Sequence, residues 1–215
     1  MRSVELLRED EANLASGAPG MMQPVADDVD LLRAHLYDVL AALIGRAPSD
    51  DILSLLAASA GDGSPLGKAC SSLAGEAAGA DLAKVGREYF DLFVGVGRGE
   101  VVPHASYYLT GFLNERPLAR IRQDLARLGI EATGGMSEPE DHVAMLLETM
   151  AGLVSGRFET DLGEDRIFFE RHLKPWVGRL FDDVAANPRS SFYRAAGDLG
   201  RTFIDIEAQA YALDA

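Results

Sequence analysis

From Val143 to Val154 the apolar residues fall where a helix repeats, and no other stretch limits the fold as tightly. Val143, Leu146, Leu147, Met150, Leu153 and Val154 stand three, four and seven residues apart. That spacing lines one side of a helix with about 3.6 residues per turn, whereas a half-buried strand needs strict alternation. The rest of the chain shares the bias, with 31 Ala and 28 Leu against only 25 Val, Ile and Thr together. Ala and Leu are good helix formers, and β-branched side chains fit a pleated surface better. The expectation is an all-α fold, a single domain of about 8–10 helices punctuated by Gly and Pro along 215 residues.

Punctuation sets the expected boundaries. Residues 1–26 are weakly patterned, and Ser16-Gly17-Ala18-Pro19-Gly20 interrupts any helix there. A mobile N-terminal tail is therefore expected ahead of an all-helical domain over 27–215. The first helix should start at Asp27 or Asp28 and stop at Gly45, with Leu31, Leu32, His35, Leu36, Val39, Leu40 and Leu43 on one face. Further helices are expected over 49–58, 66–79, 81–93, 104–113, 116–128, 163–173, 175–186 and 191–213. The helix with the apolar stripe is expected to start at Ser137, where Ser137 and Glu140 spell a capping box and Pro139 falls in the first turn.

Charge narrows the partners. Twenty Lys and Arg against 34 Asp and Glu leave a net charge of −14. Such a chain repels nucleic-acid phosphates and anionic membrane surfaces, and it attracts basic peptides. No apolar run reaches the roughly 18 residues of a membrane span. Residues 1–26 carry neither a signal-peptide pattern nor a twin-arginine pair, so a cytoplasmic location is expected.

The usual chemical constellations fail one after another. A lone Cys70 excludes a disulfide framework within the chain and any multi-cysteine metal site. Pro139 and Phe169, three residues before His142 and His172, break the Glu-x-x-His pairs that a carboxylate-bridged di-iron bundle needs. Gly95-Val96-Gly97-Arg98-Gly99 lacks the Lys-Ser/Thr ending of a phosphate loop. No metal and no cofactor are expected. Two polar clusters remain: Glu138-Pro139-Glu140-Asp141-His142, and Pro103-His104-Ala105-Ser106-Tyr107-Tyr108.

Four segments in order resemble the TorD/DmsD/NarJ family of redox-enzyme maturation chaperones. They are Glu88-Tyr89-Phe90-Asp91-Leu92-Phe93-Val94-Gly95, the 103–108 cluster, the 138–142 cluster and His172-Leu173-Lys174-Pro175-Trp176. The third is similar to the family's E-P-x-D-H signature, the fourth to its H-x-x-P-W. His104 departs from the family, which usually has an aromatic residue there. The resemblance implies an all-helical chaperone without catalysis, monomeric or dimeric by exchange of helices. It implies a partner as well: the precursor of a molybdopterin-dependent oxidoreductase, held by its twin-arginine leader peptide until its cofactor is inserted. Carried over by motif, Asp141 and His142 would sit in the leader-binding groove, with Ser106, Tyr108 and His104 nearby and Glu138 and Pro139 shaping the helix start. Two alternatives come from the residues alone: a helical enzyme using Asp141 and His142 as an acid–base pair, or a structural or regulatory helical subunit.

Overall fold

The computed structural model describes residues 27–131 and 138–213. The proposed tail, Gly134-Gly135 and Ser137 lie outside the described residues.

Ten helices and no named strand occur among the described residues. They are α1 (Asp28–Gly45), α2 (Asp50–Ala57), α3 (Pro65–Ala78), α4 (Leu82–Tyr89), α5 (Ala105–Thr110), α6 (Arg116–Arg127), α7 (Val143–Val154), α8 (Glu164–Phe168), α9 (Val177–Ala185) and α10 (Ser191–Leu213). Local chemistry explains many of the ends. Asp27 caps α1 by accepting from the backbone of Val29 and Asp30, and Asp81 caps α4 through Lys84. Ser64 caps α3, and Pro65 occupies the position whose N–H would be unpaired anyway. Gly129, at φ 68°, closes α6: its own N–H reaches the Ala126 carbonyl and that of Ile130 reaches Leu125, a pairing that needs a left-handed residue.

α7 is the centre. Ten of its twelve residues are buried, and α1 is its main neighbour. α10 packs on α9 and α3. The α9–α10 approach depends on glycine, because a Cβ at Gly197 would overlap the Ala185 backbone and one at Gly200 the Phe181 ring. At the far end of α1, Arg33 spans Glu207 of α10 with two parallel hydrogen bonds of 2.8 and 2.9 Å. Tyr37 donates to the same carboxylate, and Arg33 also reaches Asp30 and Tyr211. Glu207, 1% exposed, is thereby neutralised inside the core.

Four expectations change. α7 begins at Val143, not Ser137, and Pro139 belongs to the turn before it. Extended backbone at His142 (φ −66°, ψ 135°) is what delays the helix. The expected face of α1 is rotated in its first turns, since Leu31 and Leu32 are 52% and 57% exposed and His35 is exposed too. Ala34, Tyr37, Ala41 and Ile44 are buried instead, beside Leu36, Leu40 and Leu43. α5 stops at Thr110, because left-handed Gly111 (φ 83°) follows it. Finally, the spans expected over 81–93 and 163–173 end in π-helical turns, Phe90–Val94 and Phe169–Leu173.

Candidate functional site

The two polar clusters, some 35 residues apart in the chain, meet backbone to backbone. Ala105 donates its N–H to the Asp141 carbonyl (2.9 Å), and Val143 donates to Pro103 (2.8 Å). These two bonds form an isolated antiparallel bridge between His104 and His142. The bridge requires extended chain at both histidines, so α5 and α7 start side by side, one residue after it. Pro139 closes the turn before it, its carbonyl accepting from the His142 N–H.

Side chains complete the junction. Asp141 is 1% exposed. Its Oδ2 accepts from the Ser106 N–H at 2.9 Å, and its Oδ1 lies 3.3 Å from His104 Nδ1. Burial works to raise the Asp141 carboxyl, but the hydrogen bonds from His104 and Ser106 outweigh it and hold it below the usual carboxylate range. His142 caps α7, its Nδ1 accepting from the Ala144 N–H at 3.1 Å, which places the ring proton on Nε2. Burial first, then repulsion from His104, push His142 down to about 3 against the pull of Asp141. His142 is therefore a neutral cap at physiological pH. The two imidazoles meet edge to face at 5.0 Å.

The expected pairing of Asp141 with His142 as acid and base is thus redirected. Asp141 turns to His104, and His142 turns to its own helix. Ser106 is also fully buried; its Oγ accepts from Glu115 N–H at the start of α6, and its carbonyl from Thr110. Glu138 is the exposed member, with its Oε2 3.6 Å from His104 Nε2. Glu140 pairs with Arg122 of α6 rather than with a helix start.

Tyr108 extends the cluster toward α9. Its hydroxyl donates to Asp183 at 2.6 Å, Arg179 donates to its carbonyl, and its ring lies 5.3 Å from that of Trp176. Trp176 in turn donates its indole N–H to the His172 carbonyl. The second, third and fourth motif segments are therefore contiguous. The first comes within electrostatic reach, because burial and then the Glu138 charge push the Tyr89 phenol up.

Sequence reasoning missed the partners. Asp124 of α6 holds His172 at 2.7 Å and receives Arg171, and these contacts outweigh its burial and keep its carboxyl low. One signal was available, since Asp124 follows Ile121 by three residues on the buried face of α6 with Leu118 and Leu125. Among the described residues no group of His, Cys, Asp or Glu could hold a metal ion, and no helix is long and apolar enough to cross a membrane.

The arrangement defines an all-helical protein built around a junction of two short polar motifs. Its fold is that of a solved Archaeoglobus fulgidus protein classed provisionally as a redox enzyme maturation protein (21% identity, TM-score 0.54, 91% of this chain and 99% of that one). Residues 59–182, more than half of the chain, match the nitrate reductase delta subunit family, and the chain belongs to that family. Among curated relatives, it is 26% identical over 132 residues to the chaperone protein TorD of Aliivibrio fischeri, covering 57% of this chain and 61% of that one. It is 29% identical over 126 residues to TorD of Vibrio cholerae, covering 54% and 57%. The matched stretch thus spans about three fifths of these relatives. The family resemblance carried by the four segments is borne out.

Proposed function

We propose that this chain is a cytoplasmic chaperone and not an enzyme. It binds the twin-arginine leader and body of a molybdopterin-dependent oxidoreductase precursor, assists insertion of the cofactor and delays export until the client is mature. The observation that carries the reading is the His104–His142 bridge, which joins the two motif segments into one unit. A unit of that kind presents a carboxylate and an imidazole edge beside a short helix. α5 and the turn after it leave Leu109, Phe112 and Leu113 exposed, apolar surface suited to the leader's apolar stretch. Glu138 offers an exposed carboxylate for an arginine of the leader, with His104 behind it. Asp141, His142, Ser106 and Pro139 serve this surface from below as positioning residues, and Tyr108 ties it to α9. The protein works as a monomer or as a helix-exchanged homodimer.

Calorimetry of the full chain with synthetic leaders of molybdoenzyme precursors from the same genome tests the reading. At least one leader is expected to bind, and replacing both of its arginines by alanine is expected to weaken it. Failure of every leader to bind a chain whose circular dichroism shows intact helix would overturn it.

A further inference from the structure

Away from the motif junction, α1, α3 and α10 enclose a cleft of about 550 Å³ that shares no residue with it. Val29, Leu32 and Leu36 of α1, Leu66 of α3, and Phe203 and Ile206 of α10 form its apolar lining. The Arg33–Glu207 pair, with Tyr37 and Tyr211, fixes the α1–α10 spacing at its floor, so the cleft is preformed. Apolar surface continues past the mouth. Val29 is 64% exposed, and Leu32 and Ile206 are exposed beside it. Ile206 leads along one face of α10 through Ala210 to exposed Leu213, and exposed Leu162 adjoins Gly163 at the rim. Single exposed leucines are ordinary, but a contiguous patch around a preformed cleft marks a binding surface.

We propose that this surface docks an amphipathic helix of a partner protein, apolar on one face and flanked by Lys or Arg. The walls select a helix. They are helices themselves, with backbone groups spent internally, so an extended segment would find no ladder to join. A helix arrives with its own backbone satisfied. Length agrees: Val29 to Leu36 and Phe203 to Leu213 run about 10–15 Å at 1.5 Å per residue, room for two to three turns and their i, i+3, i+4 and i+7 anchors. Charge selects the flanks. Asp28, Asp30, Asp165 and Glu207 stand at the walls and their ends against Arg33 and Arg166. Arg33 is already engaged by Glu207 and Asp30. Asp28 precedes Leu32 by one turn, so an exposed carboxylate stands in line with Leu32 and Leu36 at the end of the groove. Other occupants fit less well. A small molecule filling the cleft would leave Leu162 and Leu213 bare. A second copy would bring the same acidic rim, and another charge of −14, to the mouth.

The test uses the full chain and no leader, so its outcome is independent of the leader-binding reading. The probe is a fluorescent synthetic helix of about four turns, with Leu along one face and Lys on both flanks, followed by anisotropy. Saturable binding is expected. Leu32→Ser and Ile206→Ser, each made separately at an exposed position, should weaken it by about tenfold. Asp28→Lys should weaken it by about threefold to fivefold. Asp51→Lys, in the exposed first turn of α2, should leave it unchanged, and so should Leu113→Ser beside α5. Circular dichroism checks that each variant keeps its helix. The same helix with Glu in place of Lys should bind at least about tenfold more weakly. No saturation, or equal binding of the Lys and Glu helices, would overturn the proposal. An Asp51→Lys loss as large as that of Asp28→Lys would reduce the attraction to net charge and overturn it too. A loss in the Leu113 variant but not in the Leu32 and Ile206 variants would move the site to α5 and overturn it. A dimer in sedimentation that Leu32→Ser dissociates, and that the Lys helix does not, would overturn it in favour of a second copy.

Discussion

Two carboxylates in this molecule are each 1% exposed, Glu207 between α1 and α10 and Asp141 between α5 and α7. They are satisfied in different ways. Glu207 is gripped by a guanidinium, which stays charged at any pH a protein survives, and by a tyrosine hydroxyl. Asp141 is held by a backbone N–H and an imidazole nitrogen. Glu207 bridges side chain to side chain across two long helices, whereas Asp141 anchors a strand-like crossing of two loops. One contact locks the core across α1 and α10. The other ties the two motif segments of the candidate site to each other.

The largest effect should come from breaking the first contact. Glu207→Ala takes from Arg33 its buried partner and from the Tyr37 hydroxyl its acceptor, and removal of one partner of a buried pair costs about 3–5 kcal/mol. Urea unfolding should show that loss. Asp141→Ala should cost about 1.5–3 kcal/mol, because the Ser106 N–H loses a charged acceptor. Asp141→Asn, which keeps an acceptor at that position, should recover part of it. If the two alanine variants were equally costly, the contrast between the contacts would collapse.

The third prediction concerns acid. Folded His142 titrates at about 3, against about 6.5 in an unfolded chain. Between those values the unfolded chain binds a proton that the folded chain refuses, so stability falls as the pH drops below about 6.5. Burial holds His172 low as well, and it adds in the same direction. At pH 5 the His142 contribution is on the order of 2 kcal/mol. Asp141 and Asp124, whose values are lowered in the folded state, contribute stability above the unfolded carboxylate value of about 3.9 and lose it only as the pH falls through their folded values. His142→Asn keeps a favourable cap and should flatten the thermal midpoint between pH 6.5 and 5. An unchanged slope would remove His142 from the account. The smallest effect belongs to the exposed member: Glu138→Gln should weaken leader binding by at most about fivefold without moving the melting temperature.

Much of the helical order was legible, because Gly, Pro and cap residues act locally. Asp27, Asp81 and Gly129 do what their sequence positions imply. The start of α7 was misread for a non-local reason. The capping-box spelling around Glu140 loses to the bridge, which needs His142 extended and sends Glu140 to Arg122. The motif residues were also legible as a group, whereas their depth was not. Nothing in Glu138-Pro139-Glu140-Asp141-His142 says that a backbone N–H from α5 will take Asp141. Glu207 and Asp124 show the same limit: a lone acid on an apolar face signals a buried partner, and only the fold supplies Arg33 or His172.

The pairing of α1 with α7 carries a consequence for synthesis. About 100 residues separate the end of α1 from the start of its main neighbour. At about 5–20 residues per second, a ribosome needs on the order of ten seconds to cross that interval. For that time Leu36, Leu40 and Leu43 have no α7 to cover them. The chain therefore spends its own synthesis as an unfinished chain with part of its core uncovered, and mutations that slow α7 should reduce its yield before they reduce its stability.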